Sequence, residues 1–249
     1  TKIDEIELDG SLQQQCFNGK IHIDDNDLGL DFNGRFDFSD PKALGGDFKA
    51  EIAHADLYHL HLVKNDKEAQ LQATISANGK NFNKFNEAEG TLTIDSVTFT
   101  NSSGEYVMNH FNASIINDNL FQKRIKANCD FFDFQMAGKM DFTTLGTAFK
   151  QYVYNYVEVP QWTEDLEKFE KSQKSSEQDF IVDLNLKNPK PLTTLLMPSL
   201  SIAKNTTFNG TFTSKSSSLN LTLRSNYIKI NNIKINNVKS YGKVRSQRF

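Results

Sequence analysis

Residues 28–38, Leu-Gly-Leu-Asp-Phe-Asn-Gly-Arg-Phe-Asp-Phe, constrain the fold more than any other stretch. Leu28, Leu30, Phe32, Phe36 and Phe38 share one phase with Gly34, and every position between them is Gly, Asp, Asn or Arg. A period of two held for so long predicts a strand with one apolar and one wet face. Fully extended it would reach about 36 Å, well beyond the ordinary strand. A chain built from such strands must place something against its apolar side.

The pattern recurs. Ile21 and Ile23, then Phe48, Ala50 and Ile52, then Leu71, Ala73, Ile75 and Ala77 alternate in the same way. Residues 24–27 are all Asx and predict a turn. The phase slips between Ile52 and Ala53, between Ile94 and Val97, and near His110 and Phe111, as β-bulges would require. Ile125, Ala127, Cys129 and Phe131 alternate on odd positions. Phe132, Phe134, Met136, Gly138, Met140 and Phe142 follow on even ones, predicting a second long strand.

A short signal ties these strands together. Gly, then Lys, Arg or Thr, then two apolar residues flanking a polar one begins at Gly19, Gly34, Gly90 and Gly138, with a shorter copy at Gly210. The spacing is irregular, so this is a degenerate strand repeat and not a fixed-period solenoid. A glycine at the same place in several strands predicts a bend or a close backbone approach.

One region leaves the pattern. Phe149, Tyr152, Val153 and Tyr156 fall on one helical face, and Pro160 ends that helix. Thr163 then caps a second helix carrying three Glu-to-Lys pairs four residues apart: Glu164/Lys168, Glu167/Lys171 and Glu170/Lys174. Strand character resumes at Phe180, and residues 191–197 predict a short helix before the alternating tail. The chain therefore reads as strands over 1–144, a helical insertion over 145–178 and further strands over 179–249. Its abrupt start and end favour a piece of a longer protein.

Composition narrows the function. Phe, at 20 copies against one Trp, stands out from a polar background, and the net charge of −3 gives no case for nucleic acid. No run approaches the roughly 18 apolar residues of a membrane-spanning helix. Cys16 and Cys129 fit no metal spacing and read as two buried thiols more readily than as a disulfide. His54, Asp56, His59 and His61 form the one metal-like cluster, with His59 and His61 expected on one strand face. No further ligand set closes a shell, so solvated histidines are the better reading. No phosphate loop, nucleophile elbow, HExxH or EF-hand motif is present, and neither an enzyme nor a cofactor is expected.

Periodicity alone favours a closed β-sandwich, for which a non-catalytic adhesin or glycan-binding module is the natural function. Strand length and the repeated units favour an open sheet. The strand from Gly34, the block from Gly90 to Thr100, residues 125–142, and residues 180–212 with their Asn188-Pro-Lys-Pro-Leu192 and Leu196-Met-Pro-Ser-Leu200 segments resemble the TamB branch of the AsmA-like proteins. The helical interruption is similar to the versions in Bacteroidota.

The resemblance implies a mainly β fold, an elongated curved antiparallel sheet forming an open hydrophobic groove with a helical insertion. It implies a periplasmic protein of the Gram-negative envelope that carries phospholipid between the two membranes or assists outer-membrane protein assembly. Its expected partners are phospholipid acyl chains, an outer-membrane assembly-type barrel, and the inner membrane through an anchor that this chain lacks. Leu30, Phe32, Phe36, Phe38, Phe132, Phe134, Met136, Met140 and Phe142 are the expected groove lining.

Overall fold

A computed structural model describes residues 6–84, 86–117, 123–145, 177–197, 199–214 and 218–245. The protein is mainly β, and the fourteen strands among the described residues belong to one open antiparallel sheet, not a closed sandwich. The expectation of an open sheet holds. Apart from Leu145, Glu177 and Gln178, the expected helical insertion lies outside the described residues. The chain divides into two compact units: residues 1–115 with 127–130, and residues 116–126 with 131–249.

The first unit is a meander of β1 (Ile6–Gln13), β2 (Cys16–Asp24), β3 (Leu28–Asp37), β4 (Gly45–Asp56), β5 (Gln70–Lys80), β6 (Glu89–Asn101) and β7 (Gly104–Ile116). Its turns follow local chemistry. The Asp25 side chain accepts the Asp27 N–H at 2.9 Å, closing the expected Asx turn between β2 and β3. Gln14 and Gln15 both adopt positive φ between β1 and β2, a backbone suited to a two-residue hairpin.

Register converts each strand's alternation into rows across the sheet. Leu8, Ile21, Phe32, Ala50, Ile75, Ile94 and Phe111 stand opposite one another from β1 to β7. The next row is Gly10, Gly19, Gly34, Phe48, Ala77, Leu92 and Ala113, and the one after it Leu12, Phe17, Phe36, Gly46, Gly79, Gly90 and Ile115. Between them lie polar rows such as Glu7, His22, Asp31, Glu51, Thr74, Asp95 and His110. A slip of one residue in any strand would exchange the two faces, so the rows fix the register.

The phase slips are bulges where β4 meets its neighbours at Ile52–Ala55 and where β5 meets β6 beyond Gln72. Ser96, at φ 55°, supplies the extra residue in β6. β7 changes phase at the same level with no register shift against β6. The bulge keeps Ile94 and Val97 on one face although they are three positions apart.

The second unit contains β8 (Lys123–Cys129) in part, β9 (Phe132–Lys139), β10 (Asp179–Leu186), the short helix α1 (Lys190–Leu196), β11 (Leu200–Ile202), β12 (Thr206–Thr213), β13 (Ser218–Ile230) and β14 (Ile233–Arg245). Pairing runs β9, β10, β12, β13, and β11 and β14 both join β13. The helix lies within one residue of its predicted span. Its rows repeat the design: Phe134, Leu184, Phe208 and Leu223; Met136, Val182, Gly210 and Leu221; Gly138, Phe180, Phe212 and Leu219.

The long strand expected over residues 132–142 is shorter. It stops at Lys139, and a helical turn runs from Phe142 to Leu145. The Asp141 side chain causes this: it accepts the Thr143 N–H at 3.0 Å and the Thr143 hydroxyl at 2.6 Å, capping the turn. Gln178, fully buried, holds the turn in place. Its amide oxygen accepts the Asp141 N–H at 3.0 Å, and its amide nitrogen donates to the Asp141 carbonyl at 3.1 Å and to Thr144 Oγ1 at 3.1 Å.

The repeated glycines have the predicted role. Gly34, Gly90 and Gly138 take φ of 149°, 151° and 138°, a region that L side chains rarely adopt. A Cβ on Gly34 would lie 2.4 Å from the Asp47 carbonyl oxygen, and one on Gly138 would lie 2.2 Å from that of Asp179. Gly34→Ala and Gly138→Ala are each expected to destabilise the protein by about 2–4 kcal/mol in chemical denaturation. Gly242→Ala, where the added carbon meets nothing within 4 Å, should stay within about 0.5 kcal/mol of the parent. Gln178→Leu takes away the side-chain acceptor of the Asp141 N–H and two amide donations to the turn, and should cost about 1–3 kcal/mol.

Candidate functional site, the apolar face of the sheet

In each unit the apolar rows form a face that is only half covered. Leu30, Phe32, Phe36 and Phe38 in the first unit and Phe132 and Phe134 in the second are half-buried, and Met136 is 6 % exposed. The residues buried on this face in the first unit are mostly alanines, such as Ala50, Ala55 and Ala73. Among the described residues, the largest fully buried side chains are Gln178 and Pro189, neither of them a core hydrophobe. A sheet packed against a second layer would bury its Phe and Leu side chains instead.

The rings lie beside one another. Centroids are 6.1 Å apart for Phe17 and Phe32, 5.3 Å for Phe32 and Phe48, 6.5 Å for Phe36 and Phe48, and 6.3 Å for Phe36 and Phe38. Each such pair contributes about 0.5–1.5 kcal/mol beyond its area. Phe38 lies just past β3, but its N–H donates to the Gln15 carbonyl at 3.0 Å, which keeps it on the face. Glycines make the close ring packing feasible: Phe48 stands across from Gly34, and Phe36 across from Gly46. A Cβ on Gly46 would reach the Phe36 ring at 3.5 Å, so the missing side chain leaves room for the neighbouring ring to lean over it.

In the second unit, Phe180 and Phe212 are 5.5 Å apart, and Phe212 and Leu219 form a buried cluster with Phe180 and Leu221 packed against them. Phe134 and Met136 belong to the same set of rows. Met140 lies beyond the end of β9 and Phe142 in the helical turn, so both leave the strand alternation that predicted them as lining. The Lys123 Nζ stands 5.1 Å from the centre of the Phe142 ring. Sequence reading missed Phe17, Phe48, Phe180, Phe208 and Phe212 as members of the face. Their strand phase was legible, but their membership depends on pairing.

The opposite face is a solvated polar surface. His22 Nδ1 lies 2.7 Å from Asp31, Lys80 Nζ 2.8 Å from Glu89, and Lys187 Nζ 2.9 Å from Asp133. Such exposed pairs add little stability and serve solubility. Arg35 Nε donates to Cys16 Sγ at 3.0 Å, and neither cysteine is in a disulfide, Cys129 being buried and Cys16 half-buried.

The histidine cluster differs from its expected arrangement. His59 and His61 sit in a turn after β4, not on a strand, and His61 takes φ 61°. His54 turns away, its Nε2 2.7 Å from the Asp25 carbonyl oxygen. What comes together is Asp27, Asp56 and His59, with donor atoms within 4.8 Å of one another. Asp56 Oδ1 accepts the Tyr58 and His59 N–H groups at 3.1 and 2.9 Å, and Oδ2 lies 2.9 Å from His59 Nδ1. This is the geometry of a turn clasp.

The clasp sets the protonation of its members. The Asp56 carboxylate, hydrogen-bonded to His59, raises the imidazole above its ordinary value, and the His59 bonds lower Asp56. The contribution of His59 is therefore complete below the ordinary histidine pKa and disappears as pH rises through the raised one. The contribution of Asp56 is complete above its ordinary value and disappears as pH falls through the depressed one. In NMR titration, Asp56→Asn should lower the His59 midpoint towards its ordinary value, with Asp27 still holding part of the rise. An unchanged midpoint would disprove the clasp.

Comparison with known protein families, with characterised proteins and with solved structures finds no match to this chain.

Proposed function

We propose that the protein holds lipid acyl chains on its apolar face and carries phospholipid across the envelope of a Gram-negative bacterium. In this reading it is a segment of a groove protein of the TamB branch of the AsmA-like proteins. The observation that carries the reading is the set of apolar rows, rich in Phe, Leu and Ile in the first unit and in Phe and Leu in the second, whose members are mostly half-exposed on a sheet that is open. The resemblance in the strand repeats adds to it.

The physical case is one of matching. Each CH₂ removed from water contributes roughly 0.8 kcal/mol, so an acyl chain leaving a bilayer needs a long apolar lining in place of the one it lost. Continuous rows supply that lining without polar contacts, which suits cargo that must move on. The groove needs no catalytic group, and its other partners in this reading are an assembly-type outer-membrane barrel and the inner membrane. A glycan-binding or adhesive module on a closed sandwich fits less well, because the described strands form one open sheet.

The test is site-specific photocrosslinking in the protein as purified from a Gram-negative host, with mass spectrometry of the adducts. Crosslinkers at Phe32 and Phe134 should capture phospholipid, and those at Asp31 and Asp133, on the opposite face, should not. Phe134→Asp is expected to lower co-purifying lipid on the order of tenfold with the fold retained, equivalent to about 1.4 kcal/mol. Equal capture on both faces, or none on either, would reject the reading.

A further inference from the structure

The last 66 residues, Leu184–Phe249, contain no Asp or Glu, against eight lysines and three arginines. The chain as a whole is slightly acidic at −3, so a strongly cationic region is hidden in the average. Its most exposed element is the hairpin of β13 and β14, turned by Asn231 and Asn232 with Asn231 at φ 53°. Ile230 stands opposite Ile233, and Ile228 opposite Ile235. Ile230, Ile233 and Ile235 are 53 %, 70 % and 56 % exposed.

Between these isoleucines, Lys229 faces Lys234 directly across the hairpin, and lower down Arg224 faces Lys239. Like charges opposite each other on neighbouring strands destabilise a hairpin. None of these four cations has an acidic partner among the described residues, although Lys234 stacks 4.8 Å from the Tyr227 ring centre. Met197, 52 % exposed, accepts the Leu200 N–H at its carbonyl, and the Asn231 N–H donates to Ser199, so the same end carries a further apolar side chain. The hairpin end is thus apolar on one side and cationic on the other.

We propose that this hairpin end docks on the surface of an anionic lipid bilayer. Ile230, Ile233 and Ile235 enter the boundary between headgroups and acyl chains, and Lys229 and Lys234 stay at the headgroups, where negative charge relieves their mutual repulsion. A protein strand added to the β14 edge would engage the backbone along the whole strand. The exposed isoleucines instead cluster at the turn, and the absence of acidic residues extends far beyond that edge. The inference rests on the chemistry of the hairpin end and stands apart from the lipid-carrying face.

The test is flotation of the full chain with phosphatidylcholine vesicles and with vesicles in which about a third of the lipid is phosphatidylglycerol. Binding is expected to the anionic vesicles and to weaken steeply with salt, a measurement that needs no variant. Lys229→Gln with Lys234→Gln should lower the partition coefficient roughly 30-fold, at about one elementary charge's worth of attraction for each lysine. Ile233→Asn with Ile235→Asn should reduce binding to both vesicle types, with the circular dichroism spectrum kept. Equal binding to neutral and anionic vesicles would overturn the proposal, as would no binding at all. So would a concentration-dependent dimer that needs Ile233 and Ile235 in the absence of lipid, since the occupant would then be a second copy. Crosslinking at Phe134 in the same samples reports separately on the carried lipid, so either proposal can fail without the other.

Discussion

A glycine beside a phenylalanine is the contact on which the apolar face depends. Gly34 against Phe48, Gly46 against Phe36 and Gly138 against Phe180 are cross-strand neighbours in which one residue contributes a ring and the other leaves space. Where the glycine also takes φ near 140–150°, the backbones approach so closely that a Cβ would strike the neighbouring carbonyl. The close approach leaves space for the ring to lean over the gap. Replacing the glycine would remove the close approach and the space together, so its cost should exceed that of a lost side-chain contact.

The stability of such a sheet comes from a different balance than that of a globular core. Most of its large apolar side chains are half covered by their row neighbours, so burial per residue is modest. Backbone pairing along strands of up to 13 residues and ring-to-ring contacts within the face supply the rest. Water on the other half of each ring is an unfavourable condition that a hydrocarbon chain would relieve. Under the proposed function, the cargo completes the packing that the fold leaves unfinished.

Charge is distributed as unevenly as apolar surface. The strands of the first unit carry both acidic and basic residues on their polar face, and some pair, as His22 with Asp31 and Lys80 with Glu89 illustrate. The region after Asp183 carries only positive charge, and its hairpin sets lysine against lysine. A fold seeking only solubility would intersperse both signs. Under the two proposals, the apolar rows would take hydrocarbon and the cationic hairpin end would take headgroups, two complementary halves of one kind of ligand.

Alternation and glycine spacing determined the strands, their inward and outward residues, and the levels of the bulges, because a period of two is a local property of the backbone. The Asx turn before Leu28 and the short helix near Pro191 were legible for the same reason. What the sequence did not disclose depended on distant partners. Met140 and Phe142 continue the alternation, yet Asp141 caps a helical turn there that Gln178, 37 residues away, holds in place. His59 and His61 alternate as a strand pair would, yet Asp56 folds them into a turn. Whether the apolar faces would close on a second sheet was likewise undecided by periodicity, which reads the same in a sandwich and in an open sheet. Only the pairing of strand with strand decided it, because the order and register of neighbours are set by contacts between residues far apart in the chain.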